Sequence, residues 1–154
     1  MIIATGGRSR ALPVPGGELC IGLRNLDDCA HLSRGFDNAK HIIVIGGGVI
    51  GLEVADAARA RDLQVTVLEA GPRIMARILP PTASQWLAEL HQANGTGIRF
   101  GVSVDRIEKT DRKFTVTTDQ GAFEADIVLA AIGMTPNTEL APPGALGPGG
   151  GILT

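Results

Sequence analysis

His41-Ile42-Ile43-Val44-Ile45-Gly46-Gly47-Gly48-Val49-Ile50-Gly51 is the stretch on which the fold turns. Ile42 to Ile45 are all β-branched and apolar, with no polar alternation. A strand that is apolar on both faces is covered on both faces, the condition of a parallel strand inside an α/β sheet. Three glycines then break the run at once, and Val49 to Arg61 predicts a helix. Its alanines, Ala55, Ala57, Ala58 and Ala60, let it lie close to a sheet. Gln64 to Leu68 predicts the next strand, closed by Glu69.

Gly46, Gly48 and Gly51 match a GxGxxG pattern, which is weak when it stands alone. Here a strand precedes it, a helix follows it, and Glu69 lies 18 residues beyond Gly51, near the offset expected of a dinucleotide site. Gly46 permits the tight strand-to-helix turn, Gly48 lets a pyrophosphate approach the backbone, and Gly51 lets helix and strand pack closely. Gly47, Val49 and Ile50 complete the loop and the first helical turn, whose unpartnered N–H groups and positive dipole end favour an anion. Glu69 is placed to accept both hydroxyls of an adenosine ribose. An acid there favours NADH, because a 2′-phosphate brings roughly −1.5 to −2 charge to the same spot. Arg73, four residues on, is the residue that would either pair with such a phosphate or pack along the adenine.

Outward from this centre, Met1 to Thr5 reads as the end of a buried strand closed by Gly6-Gly7. Ala11 to Gly17, with Pro13 and Pro15, reads as a linker. Leu26 to Phe36 predicts a short helix. Thr82 to Asn94 predicts the clearest one, with Thr82 and Gln85 at capping-box spacing, Trp86 and Leu90 on one face, and Gly95 at its C-terminal end. Val102 to Ile107, Phe114 to Thr118 and Ala122 to Ala125 predict an antiparallel meander with Asp119-Gln120-Gly121 in its last turn. Ile127 to Ile132 is another fully apolar strand, broken by Gly133. Ala141 to Gly151 shows no core-forming pattern. The expected fold is therefore α/β, a Rossmann-like three-layer domain with a parallel sheet, flanking helices and an antiparallel β-meander.

Composition narrows the remaining classes. The 154 residues suffice for one domain, and a 44% apolar share with only 3% aromatics implies an aliphatic core. A net charge of −2 without a basic run gives no nucleic-acid surface. No apolar run nears the ~20 residues of a membrane span. The N-terminus is too short in apolar residues for a signal segment, so a cytoplasmic location is expected. Cys20 and Cys29 form no CxxC and read as half-buried, reduced thiols. His31, His41 and His91 have no partners at catalytic or metal-ligand spacing, and no residue is read as catalytic or metal-binding.

Four stretches together resemble a known family. They are Ala4-Thr5-Gly6-Gly7-Arg8 with Leu12-Pro13-Val14-Pro15-Gly16; Gly46 to Ala55; Leu68-Glu69-Ala70-Gly71-Pro72-Arg73-Ile74-Met75-Ala76-Arg77; and Ala131-Ile132-Gly133-Met134-Thr135-Pro136-Asn137. The chain is similar to the middle of the FAD-dependent pyridine-nucleotide reductases, in particular the ferredoxin/rubredoxin reductases of oxygenase systems. The resemblance implies an NAD domain inserted into an FAD domain. Residues 1–10 would be the remnant of an FAD-domain strand, 11–140 the NAD-binding domain, and 141–154 the exit toward the FAD domain. It also implies that Thr5 and Arg8 border the flavin, that Glu53 lies near nicotinamide and flavin, and that Ile132 and Gly133 pass the nicotinamide half. Hydride would move from NADH to FAD, and single electrons from there to a ferredoxin or rubredoxin.

The chain departs from the family pattern in holding no earlier GxGxxG and no later Gly-Asp flavin motif. It is accordingly expected to be a piece cut at domain borders, without bound FAD and inactive alone. Two other readings stay open: part of an NADH oxidase, peroxidase or disulfide reductase, or a stand-alone nucleotide-binding regulatory module.

Overall fold

The computed structural model describes residues 2–111, 113–148 and 150–153. Its central sheet is built from β2 (His41–Ile45), β3 (Gln64–Glu69), β4 (Thr96–Phe100) and β8 (Ile127–Ala130). These run parallel in the order β4-β3-β2-β8. The run that predicts β2 explains its place: Ile42 and Val44 join one buried cluster, Ile43 and Ile45 another.

The first cluster lies under three helices. Leu32 and Phe36 come from α1 (Leu26–Phe36), Leu52, Val54, Ala55 and Ala58 from α2 (Val49–Arg59), and Ala88 from α3 (Pro81–Ala93). The second cluster lies under the antiparallel meander of β5 (Val104–Thr110), β6 (Lys113–Thr118) and β7 (Gly121–Ala125), which supplies Ile107, Val116 and Ala125. Helices, sheet and meander are the three expected layers. Asn25 opens α1 with a capping box, exchanging hydrogen bonds with Asp28.

Several local expectations are corrected. Residues 2–5 carry no strand, and Ile2 is exposed. The strand in this region is β1 (Gly7–Ser9), which pairs antiparallel with β9 (Met134–Pro136), an element with no strong pattern of its own. Met1 lies outside the described residues. The sequence pattern also gave no sign of β4, whose Thr96 and Ile98 point inward while Gly97 and Arg99 do not. α3 begins at Pro81, whose ring presets the first helical φ, and no side chain caps it. Gln85 bonds Glu89 rather than closing a box with Thr82. Trp86 and Leu90 share the exposed face, while Ser84 and Ala88 face inward, because a helix set close on a sheet has room for small side chains. Gly95 does adopt the left-handed conformation, φ 84°, just past the helix. Cys20 is half-buried, and burial, then the charge of Glu18, pushes its thiol up to about 11. Cys29 is exposed rather than half-buried.

The N-terminal end of β2 sets a pH dependence. One oxygen of Asp126 accepts the backbone N–H groups of Lys40 (2.8 Å) and His41 (3.0 Å), and the other meets Lys113 Nζ at 2.8 Å. His41 Nε2 lies 2.9 Å from Thr66 Oγ1. Burial lowers the His41 pKa, outweighing the raising effects of a Glu124 backbone bond and the Asp126 charge. A depressed histidine pKa stabilises the fold above the unfolded value of about 6.5, and that contribution is lost as pH falls. The melting temperature should therefore drop as pH is lowered from 7 through 5.5, and His41→Gln should flatten the drop. Superimposable melting curves against pH for the two proteins would remove His41 from this role. Asp126 adds to the loss in stronger acid. Its burial raises the carboxyl, but Lys113 and the two N–H groups hold it below the usual range.

Candidate dinucleotide site

β2 has β3 on one side and β8 on the other. The chain leaves β2 toward β3 and returns much later through β8, so a crevice opens beyond the C-terminal ends of β2 and β8. Ligands of α/β sheets bind at such switch points. A cleft of about 600 Å³ lies there, within the range of small-molecule sites. Its lining includes Gly46, Gly47, Gly48, Val49, Ile50, Glu69, Ile132 and Gly133. Those eight residues, dispersed over the chain and each expected at the site from sequence, are brought to one place.

The glycines divide the work. Gly46, at φ 106°, makes the turn out of β2, and a Cβ on it would lie 2.6 Å from the Ala131 carbonyl oxygen. Gly51 sits behind the cleft, where a Cβ would lie 2.1 Å from the Gly46 carbonyl oxygen and 3.2 Å from Val44. Gly47 faces the fully buried Ile74, at 2.6 Å from a built Cβ. Gly48 differs from all three. Its backbone is extended (φ −87°, ψ −173°), and a Cβ there would meet nothing within 4 Å. The fold does not demand this glycine, whereas a ligand packed on the backbone does.

Gly48 is also the N-cap of α2, and no side chain caps that end. Val49 and Ile50, 43% and 44% exposed, keep apolar surface at the cleft. Glu69 lies beside them. One carboxylate oxygen accepts the Gly47 N–H at 2.6 Å and the other the Gly71 N–H at 2.7 Å. The acid thus ties the glycine loop to the end of β3, and each oxygen keeps a lone pair for a further donor.

The other expected site residues fall elsewhere. Glu53 is exposed on α2 and outside the cleft lining. Thr5 hydroxyl donates to the Asn137 carbonyl, and Arg8 reaches Asn137 Oδ1 (2.7 Å) and Glu139 (2.8 Å), none of them among the residues lining the cleft. Arg73 lies outside the cleft lining: its guanidinium donates to the carbonyls of Leu79 (2.7 Å) and Ala76 (2.9 Å) and lines a separate cavity of about 360 Å³. Two of its five N–H donors are thus spent on the loop's own carbonyls. The basic residue on the cleft is instead Arg77, exposed and in its wall beside Met75, Ala76 and Ile78. Sequence reasoning quoted it only as the end of the Leu68 to Arg77 stretch and gave it no role at the site.

A parallel sheet with a glycine-rich loop, a bare helix N-terminus and an acid gathered at its switch point is the Rossmann class of nucleotide-binding fold. The chain belongs to the pyridine nucleotide-disulphide oxidoreductase family, whose family model matches residues 1–154. It is 42% identical over 145 residues to rhodocoxin reductase of Rhodococcus erythropolis, covering 92% of this chain and 34% of that protein. It is 35% identical over 158 residues to rubredoxin-NAD(+) reductase of Pseudomonas putida, covering 99% of this chain and 41% of that one. A crystal structure of a ferredoxin reductase from Rhodopseudomonas palustris superposes with a TM-score of 0.89 at 37% identity, over 97% of this chain and 38% of that chain. The chain thus spans roughly two fifths or less of each relative's length. Among the described residues no helix is long and apolar enough to cross a membrane.

Proposed function

We propose that this chain is the NADH-binding portion of a flavoprotein reductase that hands electrons to a ferredoxin or rubredoxin. The observation that carries the reading is Gly48. It is a glycine the backbone does not require, at an uncapped helix N-terminus, with Glu69 beside it in one cleft.

The residues fit a dinucleotide. The N–H groups opening α2 and its positive dipole end would hold the pyrophosphate against Gly48. Glu69 would accept the ribose hydroxyls while keeping its bonds to Gly47 and Gly71, and its charge supports NADH over NADPH. Ile132 and Gly133 would border the nicotinamide half. The bound nicotinamide supplies a hydride; the chain's own part is to hold and orient the cofactor in the cleft. Residues 11–140 are proposed as the NAD-binding domain, with 1–10 and 141–154 leading to an FAD domain. Thr5 and Arg8, cross-linked to Asn137, lie on that connection, and Glu53 is assigned to the flavin side on the family resemblance.

The test is anaerobic mixing of the intact flavoprotein with NADH, followed by oxidised ferredoxin or rubredoxin. Bleaching of the flavin near 450 nm and then reduction of the iron protein is the expected sequence. Bleaching followed by faster consumption of oxygen, peroxide or a disulfide would replace the acceptor. Dinucleotide binding with no flavin response would replace the reductase by a regulatory module.

A further inference from the structure

Between β3 and α3 the chain makes a loop, residues 70–80, that supplies one wall of the cleft through Met75, Ala76, Arg77 and Ile78. Three fasteners hold it. Ile74 is fully buried, and its carbonyl accepts the hydroxyl of Ser84 on α3. Met75 turns the chain in the left-handed region (φ 52°), uncommon for a residue with a Cβ, and its N–H donates to the Gly47 carbonyl at 2.8 Å. Arg73 then closes the rest of the loop. One guanidinium nitrogen donates to Leu79 and another to Ala76, so one side chain bridges the carbonyls on either side of Arg77 and Ile78. A planar fork matches two fixed carbonyls in a way a single ammonium does not.

Resting on the dinucleotide reading above, we propose that Arg73 is a positioning residue for the cofactor. It touches no part of the cleft, but by bridging the Ala76 and Leu79 carbonyls it sets the wall that presents Arg77. Arg77, exposed in that wall, would be the contact to the ligand's pyrophosphate, and Arg73 would act through it. Cofactor affinity should then depend on Arg73, and cofactor choice should not.

The probe is ADP-ribose, which carries the pyrophosphate and adenosine ribose and transfers no hydride, titrated calorimetrically into the intact protein. Arg73→Ala should raise its dissociation constant about 3- to 10-fold, as expected for loss of charge-assisted bonds. Arg73→Lys, which keeps the stem and charge but not the fork, should restore only part of the loss. The two substitutions should leave the ratio of ADP-ribose to 2′-phospho-ADP-ribose affinity unchanged. In an Arg77→Ala background, Arg73→Ala should cost little more, because residues that act through one backbone wall are non-additive. Equal losses in both backgrounds, or full affinity in Arg73→Ala, would overturn the proposal. If Arg73→Ala does not fold, the same comparison with Arg73→Lys decides it. Failure of the unaltered protein to bind ADP-ribose would instead refute the dinucleotide reading itself.

Discussion

Gly48→Val will leave the protein folded and remove dinucleotide binding. The backbone at Gly48 is extended, a region where a β-branched residue is at ease, and a Cβ meets nothing within 4 Å. Glycine is the better N-cap, and its loss to valine should cost about 1 kcal/mol of stability, too little to unfold the chain. The added side chain occupies the space above the bare N–H groups of α2, where a pyrophosphate would lie. Losing that approach should weaken ADP-ribose at least ~100-fold, or about 3 kcal/mol. Gly46→Val and Gly51→Val are the contrasting pair. Built Cβ atoms there fall 2.6 Å and 2.1 Å from backbone oxygens, and these proteins should fail to fold. Calorimetry and thermal melting on the three variants separate the cases. A folded Gly48→Val protein with unchanged affinity would move the site elsewhere.

Glu69 carries the second large effect, on cofactor choice. Two charge-assisted ribose bonds are worth about 1.5–3 kcal/mol each at most. A 2′-phosphate removes one hydroxyl and brings like charge to the carboxylate, about 4 kcal/mol at ~4 Å and an effective dielectric near 20. The cleft is open to water, so the net preference for the unphosphorylated cofactor should be about 1–2 kcal/mol, roughly 5- to 30-fold. Substitution at this position also disturbs the backbone around it. Because Glu69 holds the Gly47 and Gly71 N–H groups, Glu69→Ala loosens the glycine loop as well as losing the ribose. Both cofactors should weaken, NAD+ more than NADP+, and the gap should close. Glu69→Arg should invert it, the new guanidinium meeting the 2′-phosphate where the carboxylate repelled it. Dissociation constants for the oxidised cofactors at fixed salt measure this. Equal affinities in the unaltered protein would take specificity away from Glu69.

Much of the fold was legible from local pattern. Ile42 to Ile45, apolar without alternation, required cover on both sides, and the structure puts helices on one face and the meander on the other. Spacing along the chain was enough to bring Gly46, Gly48 and Glu69 together, because a strand, a turn and one crossover leave few ways to arrange them. Local pattern failed where a neighbour distant in sequence made the choice. Trp86 and Leu90 share a helical face, as their spacing demands, yet the close seat of α3 on the sheet turned the smaller Ser84 and Ala88 inward. β1 and β9 are strands only because residues 7–9 meet residues 134–136. Arg73 and Arg77 are the same residue type on the same loop. A left-handed turn at Met75, the Ser84 hydroxyl on the Ile74 carbonyl and the Gly47 carbonyl decide that one braces the wall and the other faces the cleft. Periodicity states which side of an element must be buried; which loop side chain looks into a site is set by hydrogen bonds closed across the fold, and no spacing along the chain encodes them.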